Sequence, residues 1–263
     1  MQLAFWDFPS TKCLEAAAQS LCRETEKHSA SYCADLLRQQ QVDIALLPVT
    51  TVFTAVEEFD IIPGGAVSSW GYPFTRLRVH QGLQRAKVLK SSPGQKLEEF
   101  MARVILKEHY GRQVQVVFDG RADIELLPES TLLPRVDDPD ILDLGQEWYE
   151  LAQYPMVWGV YACLKGAGND LMTQSLIELT KEAEIVAQEW GARSDSPEDK
   201  FFGESLRLRL DDVTIAGLTA IREYMYYYGI TEDLVPLPIF ASEHAQQLPW
   251  WGQDMGQSGG ERS

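Results

Sequence analysis

Apolar positions fall into short runs separated by stretches with helical spacing. Leu3 to Trp6 (LAFW) stops at Asp7 and Pro9 and predicts a first buried strand, while CLEAAAQSLC repeats at helical period. Ser29 or Ser31 is placed to cap a second helix through LLRQQQ. VDIALLPVT is too short for an independent helix and predicts a second buried strand, broken by Pro48. Residues 61–80 predict strand, loop, strand, with Pro63-Gly64-Gly65 and Gly71-Tyr72-Pro73 as turns. From Phe74 the pattern alternates: Phe74, Arg76, Arg78 and His80 share one face, and Thr75, Leu77 and Val79 the other.

SSPGQKLEEFMARVILKEHYG predicts an amphipathic helix stopped by Gly111. VQVVF predicts a strand, RADIELLPESTLL a strand or short helix, DLGQEWYELAQ a helix and YPMVWGVYAC a buried strand. Asn169 to Trp190 predicts a long helix ended by Gly191. Ser196-Pro197-Glu198-Asp199 is a helix start, and Thr214 to Tyr227 is a further helix ending at Gly229. The polar tail, residues 252–263, predicts disorder. Strands alternating with helices make the chain α/β. The layout predicts two lobes: 1–80 with 163–263, and 81–162 inserted between two crossings. A cleft between them is a common kind of ligand site.

The length of 263 residues suits one large domain or two lobes. The formal net charge of −16 lacks the basic footprint of nucleic-acid binding and disfavours an anionic membrane surface. A small anionic ligand stays possible in a locally positive pocket. The N-terminal stretch does not read as a secretory leader, and no run approaches the ~18 apolar residues of a membrane span, so a cytoplasmic location is expected. Cys13, Cys22, Cys33 and Cys163 show no C-x-x-C spacing, and His28, His80, His109 and His244 are scattered. Reduced thiols and no metal centre are expected. Oligomeric state is not legible.

Four segments carry a resemblance: Asp43 to Pro48 (DIALLP), Pro63 to Gly71 (PGGAVSSWG), the D-L-G-x-E-W box from Asp143 to Trp148, and the P-x-V-x-x-V-Y run from Pro155 to Tyr161. In order and spacing they resemble the chorismate dehydratases of the futalosine route to menaquinone. The resemblance implies a two-lobed, type II periplasmic-binding-protein-like fold acting in the cytoplasm. It implies loss of water from chorismate to give 3-[(1-carboxyvinyl)oxy]benzoate, driven by aromatisation and needing no cofactor.

The resemblance makes Ser69 the catalytic candidate, with a loop serine bonded to its own backbone as the plainer reading. Gly71 lets the backbone approach an anion, Thr75 fits a second hydroxyl position, and Arg76 and Arg78 could meet carboxylates or sit on a solvated face. Glu147 and Trp148 would brace the hinge and cleft wall, or Glu147 would be a surface helix acid. The sequence departs from the family pattern at three places. The family carries an asparagine three residues before a proline after the first strand; here FWDFPS offers Trp6 at that spacing from Pro9, or Asp7 with one residue fewer, which could act as an acid or base at the cost of a charge near a dianion. A Ser/Thr-rich helix start becomes SSPGQKLEE, where Ser91 and Ser92 partly replace it and Glu98 and Glu99 oppose anion capture. A Gly-Asp pair becomes Glu129-Ser130. Alternatively, the chain is a non-catalytic or differently specific binder of a small organic anion on the same fold. A third reading, a protein-interaction module, rests on Pro249-Trp250-Trp251.

Overall fold

The strands sort into two sheets according to where the chain crosses. The computed structural model describes residues 1–80, 82–127, 140–234 and 236–243. One sheet holds β1 (Leu3–Trp6), β2 (Thr25–His28), β3 (Ile44–Pro48), β4 (Phe59–Ser69), β10 (Met156–Leu164) and β11 (Leu206–Arg207), in the order β11-β4-β10-β3-β1-β2. The other holds β5 (Arg76–Val79), β6 (Val88–Lys90), β7 (Gln115–Val117), β8 (Ile124–Leu126) and β9 (Ile141–Asp143), in the order β7-β6-β8-β5-β9. The helices are α1 (Thr11–Ser20), α2 (Ala30–Arg38), α3 (Val49–Phe53), α4 (Lys96–Glu108), α5 (Leu144–Ala152), α6 (Asp170–Gly191), α7 (Pro197–Lys200) and α8 (Asp212–Tyr227).

β3 is buried along its whole length, which is why it reads as an unbroken apolar run. β10 lies antiparallel between β3 and β4, with Gly159 opposite Pro48 and Met156 opposite Ser69. The carboxyl ends of β3 and β4 therefore share an edge with the start of β10. In the second sheet Lys90 pairs with Glu125, Leu77 with Leu126, and Arg76 with Asp143. The ends of β6, β8 and β9 thus share an edge with the start of β5. Residues 70–75 run from the first edge to the second, so the two edges are joined by one short crossing. Strand ends at such a crossing are where α/β folds place ligands.

Most predicted elements form. Ser29 caps α2, Asn169 caps α6 and Ser196 caps α7, each accepting from a backbone amide three residues on. Three expectations change. Pro63-Gly64-Gly65 is not a turn but lies inside β4, where the pairing jumps from Val160–Ala66 to Ala162–Ile61 and the intervening residues bulge. A side chain at Gly64 (φ 128°) would meet the Thr173 carbonyl of α6, so the glycines serve close packing. Secondly, the lobe boundaries shift: β5 belongs to the second sheet and all of β10 to the first, because long-range pairing assigns them. Thirdly, Thr25–His28 forms an edge strand, β2, that its polar sequence did not announce. Glu129, Ser130, Trp250, Trp251 and the 252–263 tail lie outside the described residues.

Candidate functional site

The first-lobe edge is built around Ser69. As the last residue of β4 it pairs with Met156 on one side and Leu206 on the other. It is fully buried, and its Oγ accepts a hydrogen bond from Trp158 Nε1 at 2.8 Å. That leaves the Ser69 proton to donate. The Tyr72 ring stacks on Trp158 with centroids 4.1 Å apart, and its hydroxyl lies 3.5 Å from Ser10 Oγ. Phe201 meets both Tyr72 and Phe74 edge-on. Ser69 therefore sits beside a wall of flat rings, whose faces and edges suit an unsaturated ring. The neighbouring Ser68 Oγ is buried without a hydrogen-bond partner among the described residues.

The second-lobe edge has a different character. Thr75 is fully buried just before β5, and Ser91 is buried just after β6; neither hydroxyl has a partner among the described residues. Ser92 is exposed and its amide donates to Gln95 Oε1 at 3.1 Å, closing the turn into α4. Gln95 in turn donates to the Leu127 carbonyl, and the Leu127 amide donates to the carbonyl of Arg76. The start of α4 is thereby tied to the same edge as Thr75. Glu98, in the first turn of α4, is only 3% exposed. Burial pushes its carboxyl up to about 7, its own backbone amide opposing. The sequence marked Glu98 as an obstacle to anion binding; its burial was not legible from the pattern.

The D-L-G-x-E-W box braces the crossing. Asp143 caps α5 by accepting from the Gln146 amide, and it also accepts from the Tyr72 amide at 2.8 Å. Burial raises the Asp143 carboxyl, opposed by these amides and by Arg76. A side chain on Gly145 would lie 2.8 Å from the backbone of Gly71 and Tyr72, so α5 rests directly on the crossing. Gly71 serves here in that close contact. Glu147 is buried and accepts from Tyr110 Oη at 2.6 Å; burial raises its carboxyl and the Tyr110 hydrogen bond opposes the rise. Trp148 is fully buried, edge-on to Tyr224 of α8. Glu147 thus ties α5 to Tyr110 just beyond α4, and Trp148 packs it against α8. Arg76 is buried, donating to the Pro73 carbonyl with Asp143 nearby, contrary to a solvated face.

Asp7 is not brought to this group. Its side chain is 63% exposed and faces Lys27 Nζ at 3.4 Å on β2. An acid one residue past β1 finds a cation on the adjacent edge strand, and solvent, at less cost than burial. Elsewhere, His109, Glu147 and Glu150 bring possible metal-ligand atoms within 4.8 Å of one another, though Glu147 is already held by Tyr110. A recess of about 350 Å³ on the second lobe is lined by His80, Lys90, Gly120, Arg121, Ala122 and Glu125, where Glu125 lies within ion-pair distance of Lys90. No helix among the described residues is long and apolar enough to cross a membrane.

Comparison with known proteins accounts for the architecture. The chain is similar to protein AF1704 from Archaeoglobus fulgidus, at 12% identity and a TM-score of 0.56 over 88% of this chain and 98% of that one. It is similar to the Candida albicans CA3427 gene product, which exhibits the generic periplasmic-binding-protein fold, at 11% identity and a TM-score of 0.54 over 89% and 91%. It is also similar to the alkanesulfonate-binding protein SsuA of Xanthomonas axonopodis pv. citri, solved with MOPS, at 10% identity and a TM-score of 0.60 over 91% and 97%. These likenesses show a two-lobed periplasmic-binding-protein-like fold. No curated protein is a significant match to the sequence. The family model for menaquinone biosynthesis matches residues 3–227, nearly the whole described chain, and the protein therefore belongs to the menaquinone biosynthesis family.

Proposed function

We propose that this protein is a chorismate dehydratase-type lyase that removes water from chorismate to give 3-[(1-carboxyvinyl)oxy]benzoate in menaquinone biosynthesis. The observation that carries the reading is the pairing of edges. A buried, ring-lined serine ends β4, and buried, unpartnered hydroxyls stand at Thr75 and Ser91, at the strand ends to which residues 70–75 lead. Buried polar groups are hydrogen-bonded in nearly all native structures, so Thr75 and Ser91 fit oxygen atoms of a ligand. The Tyr72 and Trp158 rings fit the face of a cyclohexadiene on its way to a benzoate. Ser69, engaged by Trp158 as an acceptor, holds its proton toward a substrate oxygen. Fixed orientation between two lobes supplies part of the rate enhancement.

One observation favours a second reading, a non-catalytic binder of a small organic anion: Asp7, the candidate acid or base, is exposed and paired with Lys27. One experiment separates the two. The purified chain is mixed with chorismate and the products are followed by mass spectrometry. Enzyme-dependent loss of one water with a new benzoate chromophore is the expected result. Thermal protection by chorismate without product supports the binder, and neither product nor protection removes chorismate as the ligand. Within the dehydratase reading, Ser69→Ala lowers turnover while the protein stays folded.

A further inference from the structure

Glu98 is the one acid among the described residues that is nearly fully buried and joined to no hydrogen-bonding side chain and no cation. It stands in the first turn of α4, directly after the Ser91–Gln95 turn that follows β6, and that helix start is tied through Gln95 and Leu127 to the edge where β5 begins. Thr75 and Ser91, both buried and unpartnered, occupy that same edge. The buried hydroxyls of Tyr161 and Thr180 also lack partners, but they pack over Gly65 beneath α6, away from the second sheet. The charged groups on elements packed against α4 are otherwise engaged: Glu147 by Tyr110, Glu150 beside His109, and Glu125 beside Lys90. α3 contributes none.

We propose that Glu98 is the catalytic residue that exchanges protons with the substrate, with Ser91 and Thr75 holding substrate oxygens beside it. This rests on the dehydratase reading. As a neutral acid, Glu98 gives its proton to the departing ring hydroxyl as the C–O bond breaks, releasing water. The carboxylate so formed takes the proton from the adjacent ring carbon. The C–H electron pair becomes the carbon–carbon double bond that completes the aromatic ring, and the carboxyl ends as it began. Nothing is oxidised or reduced. A carboxyl that burial raises to about 7 is about half protonated near neutrality, so it can both give and take a proton, and it repels a dicarboxylate less than an ordinary carboxylate would. The family resemblance marked this position as unfavourable because it counted Glu98 as a charge.

The test compares unsubstituted protein, Glu98→Gln, Glu98→Asp and Glu99→Gln with chorismate, recording product and the pH dependence of kcat/KM. The expected result is a loss of about 100-fold or more for Glu98→Gln, the low end of general acid–base effects. A pH limb near 7 is expected in the unsubstituted protein and in Glu98→Asp, and is missing from the residual rate of Glu98→Gln. Glu99→Gln, on the same turn, is expected to stay within about threefold. A Glu98→Gln protein that keeps a native circular-dichroism spectrum and turns over within about threefold, with the same pH limb, overturns the proposal alone. No product from the unsubstituted protein overturns the dehydratase reading and this proposal together.

Discussion

The two strand-end edges joined by residues 70–75 are made differently. On the first lobe, Ser69, Trp158, Tyr72 and Phe201 are locked to one another by a hydrogen bond and ring contacts. On the second, the Thr75 and Ser91 hydroxyls are as deeply buried yet have no partner among the described residues, as is true of Ser68 alone on the first, and Glu98 is bonded to its own backbone and to no described side chain. The first edge reads as a rigid surface shaped for a ring. The second is a set of polar groups whose partners, in the proposed function, are oxygens of the substrate. A buried polar group without a partner costs about 1–3 kcal/mol, and a chain that keeps several along one edge accepts instability where a ligand is to be held.

Substitutions can break this contrast, the largest through the brace between the lobes. Trp148→Ala removes a fully buried ring and is expected to cost about 3–5 kcal/mol, read as the shift in a denaturant midpoint. An unchanged midpoint would mean that α5 and α8 are held by other contacts.

Next in size is the penalty of Glu98 itself. The folded protein holds its proton to about pH 7 while the unfolded chain releases it near 4.5. The folded state therefore binds the extra proton in that window, and stability falls as pH rises from about 4.5 through about 7. The full loss is about 3 kcal/mol. Urea denaturation at pH 5 and pH 8 should show a fall that Glu98→Gln lacks. A parallel pH dependence in both proteins would place the titration elsewhere.

Gly145→Ala, whose new carbon meets the backbone of Gly71 and Tyr72, should destabilise by about 1–3 kcal/mol and loosen the crossing. Amide exchange at Tyr72, whose N–H donates to Asp143, reads that loosening directly. The smallest effect belongs to Asp7→Asn. An exposed partner of Lys27 should change stability by no more than about 0.5 kcal/mol and leave chorismate affinity unaltered in a calorimetric titration. Tighter binding would bring Asp7 back beside the ligand.

What the sequence disclosed follows from the range of each interaction. β3 and β10 were legible because burial on both faces leaves an apolar run, and the helix starts at Ser196 and at Ser29 or Ser31 because capping acts within three residues, Ser29 proving to be the cap of α2. The D-L-G-x-E-W box was legible as the start of a helix, although Tyr110 and Tyr224 as partners of Glu147 and Trp148 were not. Pro63-Gly64-Gly65 misled because turn propensity is local, while the pairing that carries these residues through β4 comes from β10, nearly 100 positions on. Glu98 misled for a similar reason. Its charge is written in the sequence, but its burial is set by neighbours brought together in the fold.

The measurement that bears most directly on the central claim is a crystal structure of the full chain soaked with chorismate. The account predicts a ligand between the two edges, with its ring beside Trp158 and Tyr72 and its oxygens within hydrogen-bond reach of Ser69, Thr75, Ser91 and Glu98. A ligand held instead in the recess between His80, Lys90 and Arg121, with the edges unchanged, would contradict it.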